Sequence, residues 1–205
     1  MLKVGLTGNI AAGKSSVVRV WRGLGAFVVD ADELARRAVE PGTEAYLRIL
    51  GTWGSRVTDA DGALDRAALR AIVFADPDER AKLESIVHPA VGALRDEAYA
   101  EAKATGVPVV VADIPLLFEV GMADEFDLIV LVDAPEAVRL ARLLRDRGLD
   151  EDEARRMIAS QMPSELKRAR ADLVIDNGGS YTDLEVRARV AWEELLARAA
   201  ESAGG

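Results

Sequence analysis

The sequence predicts an α/β protein in which helices flank a five-stranded parallel sheet, and three observations carry that prediction. Five short apolar runs, residues 2–6, 26–29, 107–112, 128–132 and 173–175, are rich in β-branched side chains and stop at Gly or Asp. Such runs read as strands buried on both faces. The segments between them space their apolar residues as helices do, for example Val138, Leu140, Ala141, Leu143 and Leu144, or Leu184, Val186, Val190, Leu195 and Leu196. Strands alternating with helices make a parallel sheet. The interval from Val29 to Val107 is far longer than one crossover requires, so something mostly helical is inserted there.

The first strand runs into Gly8-Asn9-Ile10-Ala11-Ala12-Gly13-Lys14-Ser15, followed by Ser16. This fits G-x-x-x-x-G-K-[ST] at every fixed position and sits between a strand and a helix, as a P-loop must. The glycines let successive N–H groups converge on a phosphate, and the helix beginning near Gly13 offers its positive end to the same charge. Lys14 then suits the β- and γ-phosphates of a nucleotide, and the Ser15 hydroxyl suits Mg²⁺. A plain strand-to-helix turn has little need of Lys and Ser at these offsets. The loop leaves the phosphoryl acceptor open, whether nucleoside, nucleotide or sugar acid. It does not suggest a guanine switch, because Asn9 and Asn177 are followed by Ile and Gly and no N-K-x-D occurs.

The second strand ends at Asp30-Ala31-Asp32-Glu33. Asp30 and Glu33 form a D-x-x-E pattern, so Asp30 is expected to cap the next helix. That leaves Asp32 to orient an alcohol and take its proton. The insertion has helical stretches at 44–50, 66–74 and 79–103, broken by turn signals at Pro41-Gly42, Asp61-Gly62 and Asp76-Pro77. His88, before Pro89, is assigned to substrate binding. The third strand delivers Asp113 to its carboxyl end, where a carboxylate reaches the metal shell of a P-loop site. Residues 139–170 hold nine basic and six acidic side chains, a positive segment inside an anionic chain. Arg139, Arg142 and Arg145 recur at i+3, so one helix face is expected to carry a guanidinium row suited to spreading transition-state charge. Asp176-Asn177-Gly178-Gly179 is a turn signal first, with a nucleobase contact from Asn177 as the second reading. Trp21, Trp53 and Trp192 read as packing residues, and Ala203-Gly204-Gly205 as a frayed end.

Composition narrows the function. The absence of Cys excludes disulfides, thiolate zinc sites and cysteine nucleophiles, and a single His excludes two-His metal motifs. Thirty-five acidic against 26 basic residues give a net charge of −9, which argues against nucleic acid as a partner. No apolar run approaches a membrane span, and no signal-peptide pattern opens the chain, so the expectation is a cytoplasmic protein with small-molecule partners.

Five blocks together resemble the dephospho-coenzyme A kinase family: Gly5-Leu6-Thr7-Gly8 through Ser15, Val29-Asp30-Ala31-Asp32, Ile86-Val87-His88-Pro89, Asp113-Ile114-Pro115-Leu116-Leu117-Phe118-Glu119, and Ala171-Asp172-Leu173-Val174-Ile175-Asp176-Asn177. The resemblance implies ATP and Mg²⁺, with dephospho-coenzyme A phosphorylated on its ribose 3′-hydroxyl. It implies a P-loop nucleotide-kinase fold with a nucleotide core over 1–30, 105–134 and 171–205, a helical substrate region over 31–104 and a mobile lid over 135–170. Asp32 falls on the family's base and Arg142 on a lid arginine, while Thr7, Pro115 and Leu116 join Asp32 and His88 on the acceptor side. Asn9, Ala11 and Ala12 stand where Gly, Gly and Ser are frequent. Asp146 stands where a lid arginine is implied, so Arg139, Arg145 and Arg147 compete for the second lid role.

Overall fold

The five apolar runs become five strands, the two at the sheet edges only half-buried. The computed structural model describes residues 1–59 and 61–204. Its strands are β1 (Leu2–Gly8), β2 (Phe27–Asp30), β3 (Val109–Asp113), β4 (Leu128–Asp133) and β5 (Leu173–Asp176). They form one sheet in the order β2-β3-β1-β4-β5. β1 lies centrally and pairs in parallel with β3 and β4, and β4 in parallel with β5. The register sets Leu6 beside Asp113 and Gly8 beside Val132, so the carboxyl ends of β1, β3 and β4 finish together. In a sheet covered on both faces that edge is where ligands bind.

The helices are α1 (Lys14–Gly23), α2 (Ala31–Arg37), α3 (Glu44–Trp53), α4 (Arg66–Ala75), α5 (Pro77–Ala104), α6 (Glu136–Arg147), α7 (Glu151–Ala159), α8 (Ser164–Arg168) and α9 (Tyr181–Gly204). Local chemistry starts several of them. The Asp30 carboxylate accepts from the amides of Asp32 and Glu33, as its pattern predicts, and Asp65 does the same for Ala67 and Ala68. Thr43 and Asp150 cap α3 and α7. α5 continues through Pro89. α9 runs to Gly204, beyond the start of the expected fraying, and Gly205 lies outside the described residues.

Two compact units divide the chain, Met1–Val29 with Ala102–Gly205, and Asp30–Glu101. In the first, Val4, Leu6, Val111, Val130 and Val132 of the sheet pack with Val17 and Trp21 of α1 and Leu195 of α9. Trp21 is fully buried, donates its indole N–H to the Ala188 carbonyl at 2.8 Å and meets the Trp192 ring at 5.7 Å between centroids. Both indoles are packing residues, as the sequence suggests. The segment 135–170, with α6 to α8, belongs to this unit. The second unit has its own core of Val39, Ile49, Trp53, Val57, Leu69 and Ile86. Among the described residues, no helix is long and apolar enough to cross a membrane.

Candidate active site

Between Gly8 and α1 the backbone has almost no slack. A Cβ on Gly8 would come within 2.6 Å of the Val132 carbonyl oxygen, so only glycine lets β1 lie this close to β4 at its exit. The loop closes with a hydrogen bond from the Ala12 amide to the Asn9 carbonyl at 3.0 Å. Ala11 adopts φ 58 and Gly13 φ 97, both left-handed. Gly13 precedes α1 and has no side chain with which to cap it. Among the described residues, no acceptor is paired with the amides of Ala11, Gly13, Lys14 or Ser15. These are the donors that a helix start leaves open and an anion can use.

The carbonyl side of the loop is pinned. The Asn177 side-chain amide donates to the Ala12 carbonyl at 2.8 Å, and Arg142 donates to the carbonyls of Ala11 at 3.0 Å, Ala12 at 3.4 Å and Asn177 at 3.0 Å. The Asn177 backbone N–H in turn donates to the Asp133 carbonyl at 2.6 Å. In a trans peptide N–H and C=O point opposite ways, so holding the Ala12 carbonyl from one side aims the Gly13 amide to the other. Arg168 ties the ends of β4 and β5 by binding Asp133 at 2.9 Å and Asp176 at 2.7 Å, and those two carboxylates raise its already high pKa.

Lys14, the first residue of α1, pairs with Asp113 at the end of β3; their side chains are 15% and 9% exposed. The charged pair therefore stands at the loop's mouth, between the start of α1 and the carboxyl end of β3. Ser15 is exposed on the first turn of α1 and Ser16 is half-buried behind it. Thr7, wholly buried, donates its hydroxyl to the Pro115 carbonyl at 3.1 Å, which fixes the turn after β3 and leaves Leu116 exposed.

Several expected site residues stand differently from their expected roles. The i+3 arginine row does not present one charged face. Arg139 is buried and donates to the Ala134 carbonyl at 3.1 Å, Arg142 underpins the loop, and Arg145 is exposed and paired with its neighbour Asp146. Each i+3 step falls about 60° short of a full turn, so two steps carry the row from core to solvent. Burial lowers the Arg142 pKa, with the nearby Arg145 charge adding to the effect. Arg142 is thus a buttress bonded to the loop in this structure, where an arm closing from a lid is implied. The Asn177 side-chain amide, for which a nucleobase contact is the second reading after a turn, is buried and donates to the Ala12 carbonyl of the loop. Asp32 is exposed on the first turn of α2, and His88 is exposed on α5, both within the second unit. Sequence reasoning missed Gln161 and Ser164, which touch Ile10 and Asn9. The Gln-Met-Pro-Ser turn that carries them has no motif to announce it.

A parallel sheet whose central strand passes through a glycine loop into a helix, with lysine at the helix start and a carboxylate on the next strand, defines a P-loop kinase. The model of the dephospho-CoA kinase family matches residues 2–183, and the chain belongs to that family. A dephospho-CoA kinase of Thermobifida fusca is 46% identical over 198 residues, 97% of this chain and 98% of its own. That of Streptomyces avermitilis is 47% identical over 199 residues, covering 97% and 96%. A crystal structure from Thermus thermophilus superposes with a TM-score of 0.80 at 38% identity, covering 95% of this chain and 97% of its own. A dephospho-CoA kinase structure from Campylobacter jejuni shares the fold at TM-score 0.73 and 24% identity, with 95% and 97% covered.

Proposed function

We infer that this chain is an ATP-dependent kinase that transfers the γ-phosphoryl group of ATP to the ribose 3′-hydroxyl of dephospho-coenzyme A, the final step of coenzyme A synthesis. The observation that carries the donor half is the loop, whose amides at Ala11, Gly13, Lys14 and Ser15 have no protein acceptor among the described residues while its carbonyls at Ala11 and Ala12 are held by Arg142 and Asn177. Family membership carries the acceptor half.

The amides take the phosphate oxygens as N–H donors, and the Lys14 ammonium leaves Asp113 for the β- and γ-phosphates. The Ser15 hydroxyl and Asp113 carboxylate are hard oxygen donors, a set that fits Mg²⁺, which takes one or two protein groups and fills its other positions with phosphate and water. When bound there, Mg²⁺ supplies positive charge against the phosphate oxygens on which negative charge gathers. Asp32 orients the 3′-hydroxyl and accepts its proton as the bond from oxygen to the γ-phosphorus forms and the bond to the β,γ-bridging oxygen breaks, releasing ADP. Thr7, Pro115 and Leu116 shape the acceptor side of the sheet edge, and His88 binds the acceptor from α5. Arg142 acts through the loop, holding its carbonyls so that the amides keep their aim.

Incubation with ATP, Mg²⁺ and dephospho-coenzyme A tests the reading by mass spectrometry. The expected product is the acceptor plus one phosphoryl group, with stoichiometric ADP. ATP consumed with a nucleoside, nucleotide or sugar acid but not with dephospho-coenzyme A would overturn it.

A further inference from the structure

The loop is held at a second place, on its entry side. Between α7 and α8 the chain turns through Gln161, Met162 and Pro163, and this turn lies on the first residues of the loop. The Gln161 Oε1 accepts from the Ile10 amide at 2.7 Å, while the Asn9 Nδ2 donates to the Met162 carbonyl at 3.2 Å and to the Ser164 hydroxyl at 3.1 Å. Because Ile10 N–H and the Met162 carbonyl each allow one sense only, the orientation of both side-chain amides is set by their partners. Asn9 is only 5% exposed, and its Oδ1 is buried without a hydrogen-bond partner among the described residues. The side chain keeps its place through its two donor bonds while leaving a buried acceptor unmet, an arrangement that stability alone does not favour.

The turn is anchored from behind. One oxygen of Glu119 accepts from the Met162 amide at 3.1 Å and pairs with Lys167 at 2.7 Å, and Lys167 is fully buried. Glu119 ends the block that follows β3 and Lys167 lies on α8, so a single carboxylate ties the middle of the turn and the helix after it to that block. Removing Glu119 would leave the buried Lys167 ammonium without its carboxylate, which is costly, so this pair fixes the turn in place.

We propose that Gln161 and Asn9 are positioning residues for the phosphoryl donor, acting through the phosphate loop: the α7–α8 turn clamps residues 9 and 10 so that the amides from Ala11 onward are already arranged for phosphate. The proposal rests on the kinase reading for its substrate, but its direct readout is nucleotide binding. Preorganised donors do not have to be ordered when the ligand arrives, so losing the clamp weakens ATP in the ground and transition states alike. Such a loss raises KM for ATP and leaves kcat nearly unchanged.

The test is Gln161→Leu, with affinity for Mg²⁺–ATP measured by calorimetry and steady-state kinetics run in parallel. The expected result is a rise of roughly tenfold in both Kd and KM for ATP, the scale of one lost hydrogen bond with its partner left unmet. Saturating turnover and KM for dephospho-coenzyme A should stay within about twofold of the parent. A Kd for ATP within about twofold of the parent overturns the proposal, as does an equal rise in KM for the acceptor. A purely structural Gln161 would lower the melting temperature without separating the two KM values. If Gln161→Leu does not fold, Asn9→Ala removes the other bonds to the same turn and must weaken ATP in the same sense; an unchanged Kd there overturns it too. Should the parent bind ATP yet fail to phosphorylate dephospho-coenzyme A, the kinase reading falls, while the comparison of Kd values still decides the role of Gln161.

Discussion

At Gly13 the phosphate loop tolerates no side chain for two separate reasons. Its φ is 97, and an added Cβ would lie 2.0 Å from the Asn177 Nδ2 that holds the Ala12 carbonyl. Gly13→Ala should therefore displace Asn177 and weaken ATP by at least about tenfold in calorimetry, given a backbone strain on the order of 1–3 kcal/mol before the clash is counted. Lys14→Ala should reduce turnover by roughly 100-fold or more, since an ammonium on the transferring phosphates stabilises charge that grows in the transition state. For Asp32→Asn the expectation is a fall in kcat on the order of 100-fold with KM for ATP nearly unchanged, because only the acceptor's proton loses its base. Near-normal turnover would remove Asp32 from that role. The phosphate loop itself was legible in the sequence because a P-loop fixes its residues by local spacing. The sequence also resolved Asp30 as a cap, since a capping carboxylate serves amides two and three residues ahead. It did not resolve Arg142, Asn177 and Gln161, whose partners in the loop lie more than 100 residues away and whose tasks are set by where the chain returns.

Strands were the most legible elements, because a strand buried on both faces can contain little besides apolar residues; β3 and β4 end within a residue of their apolar runs. The order β2-β3-β1-β4-β5 was not legible, since every strand carries the same pattern and nothing in it names a neighbour. The arginine row on α6 failed for a related reason: periodicity gives a row of neighbours but not the angle at which the helix meets its core. At the start of α9 a reciprocal cap was overlooked. The Ser180 hydroxyl accepts from the Asp183 amide at 3.2 Å, and an Asp183 carboxylate oxygen accepts from the Ser180 amide at 2.9 Å and hydroxyl at 2.7 Å. These bonds from Ser180 hold the Asp183 carboxyl below the usual aspartate range. A depressed folded pKa contributes stability above the unfolded value, near 4, and loses it as pH falls through the folded value. Asp183→Asn should thus lower the urea midpoint at pH 7, and its difference from the parent should shrink as the pH is lowered through the depressed folded pKa. A difference that persists unchanged at low pH would mean the carboxylate charge is not what closes the cap.

Across the whole chain the charge is −9, yet its proposed ligands are anions. Net charge does not decide the matter, because phosphate contacts are made within hydrogen-bond distance of fixed amides and one ammonium, while remote carboxylates are screened beyond a Debye length of about 8 Å at physiological salt. The loop, Lys14 and Asp113 all belong to the first compact unit, Met1–Val29 with Ala102–Gly205. A ligand that binds only the folded loop must stabilise the fold that holds it, by about 2.7 kcal/mol at a hundredfold excess over Kd. For a chain of this size that corresponds to a rise in melting temperature of roughly 5–10 °C. Mg²⁺–ATP should produce such a rise in the parent protein, and Gly13→Ala should abolish about half of it or more at the same ATP concentration. Amide hydrogen exchange locates the effect: new protection should appear at residues 9–16, and extend through α1, the ends of β3 and β4 and the 161–164 turn, because these are bonded to one another through the loop. If ATP protected chiefly residues 30–101 and left 9–16 exchanging as before, the nucleotide would be seated on the second unit and the glycine loop would not be its site.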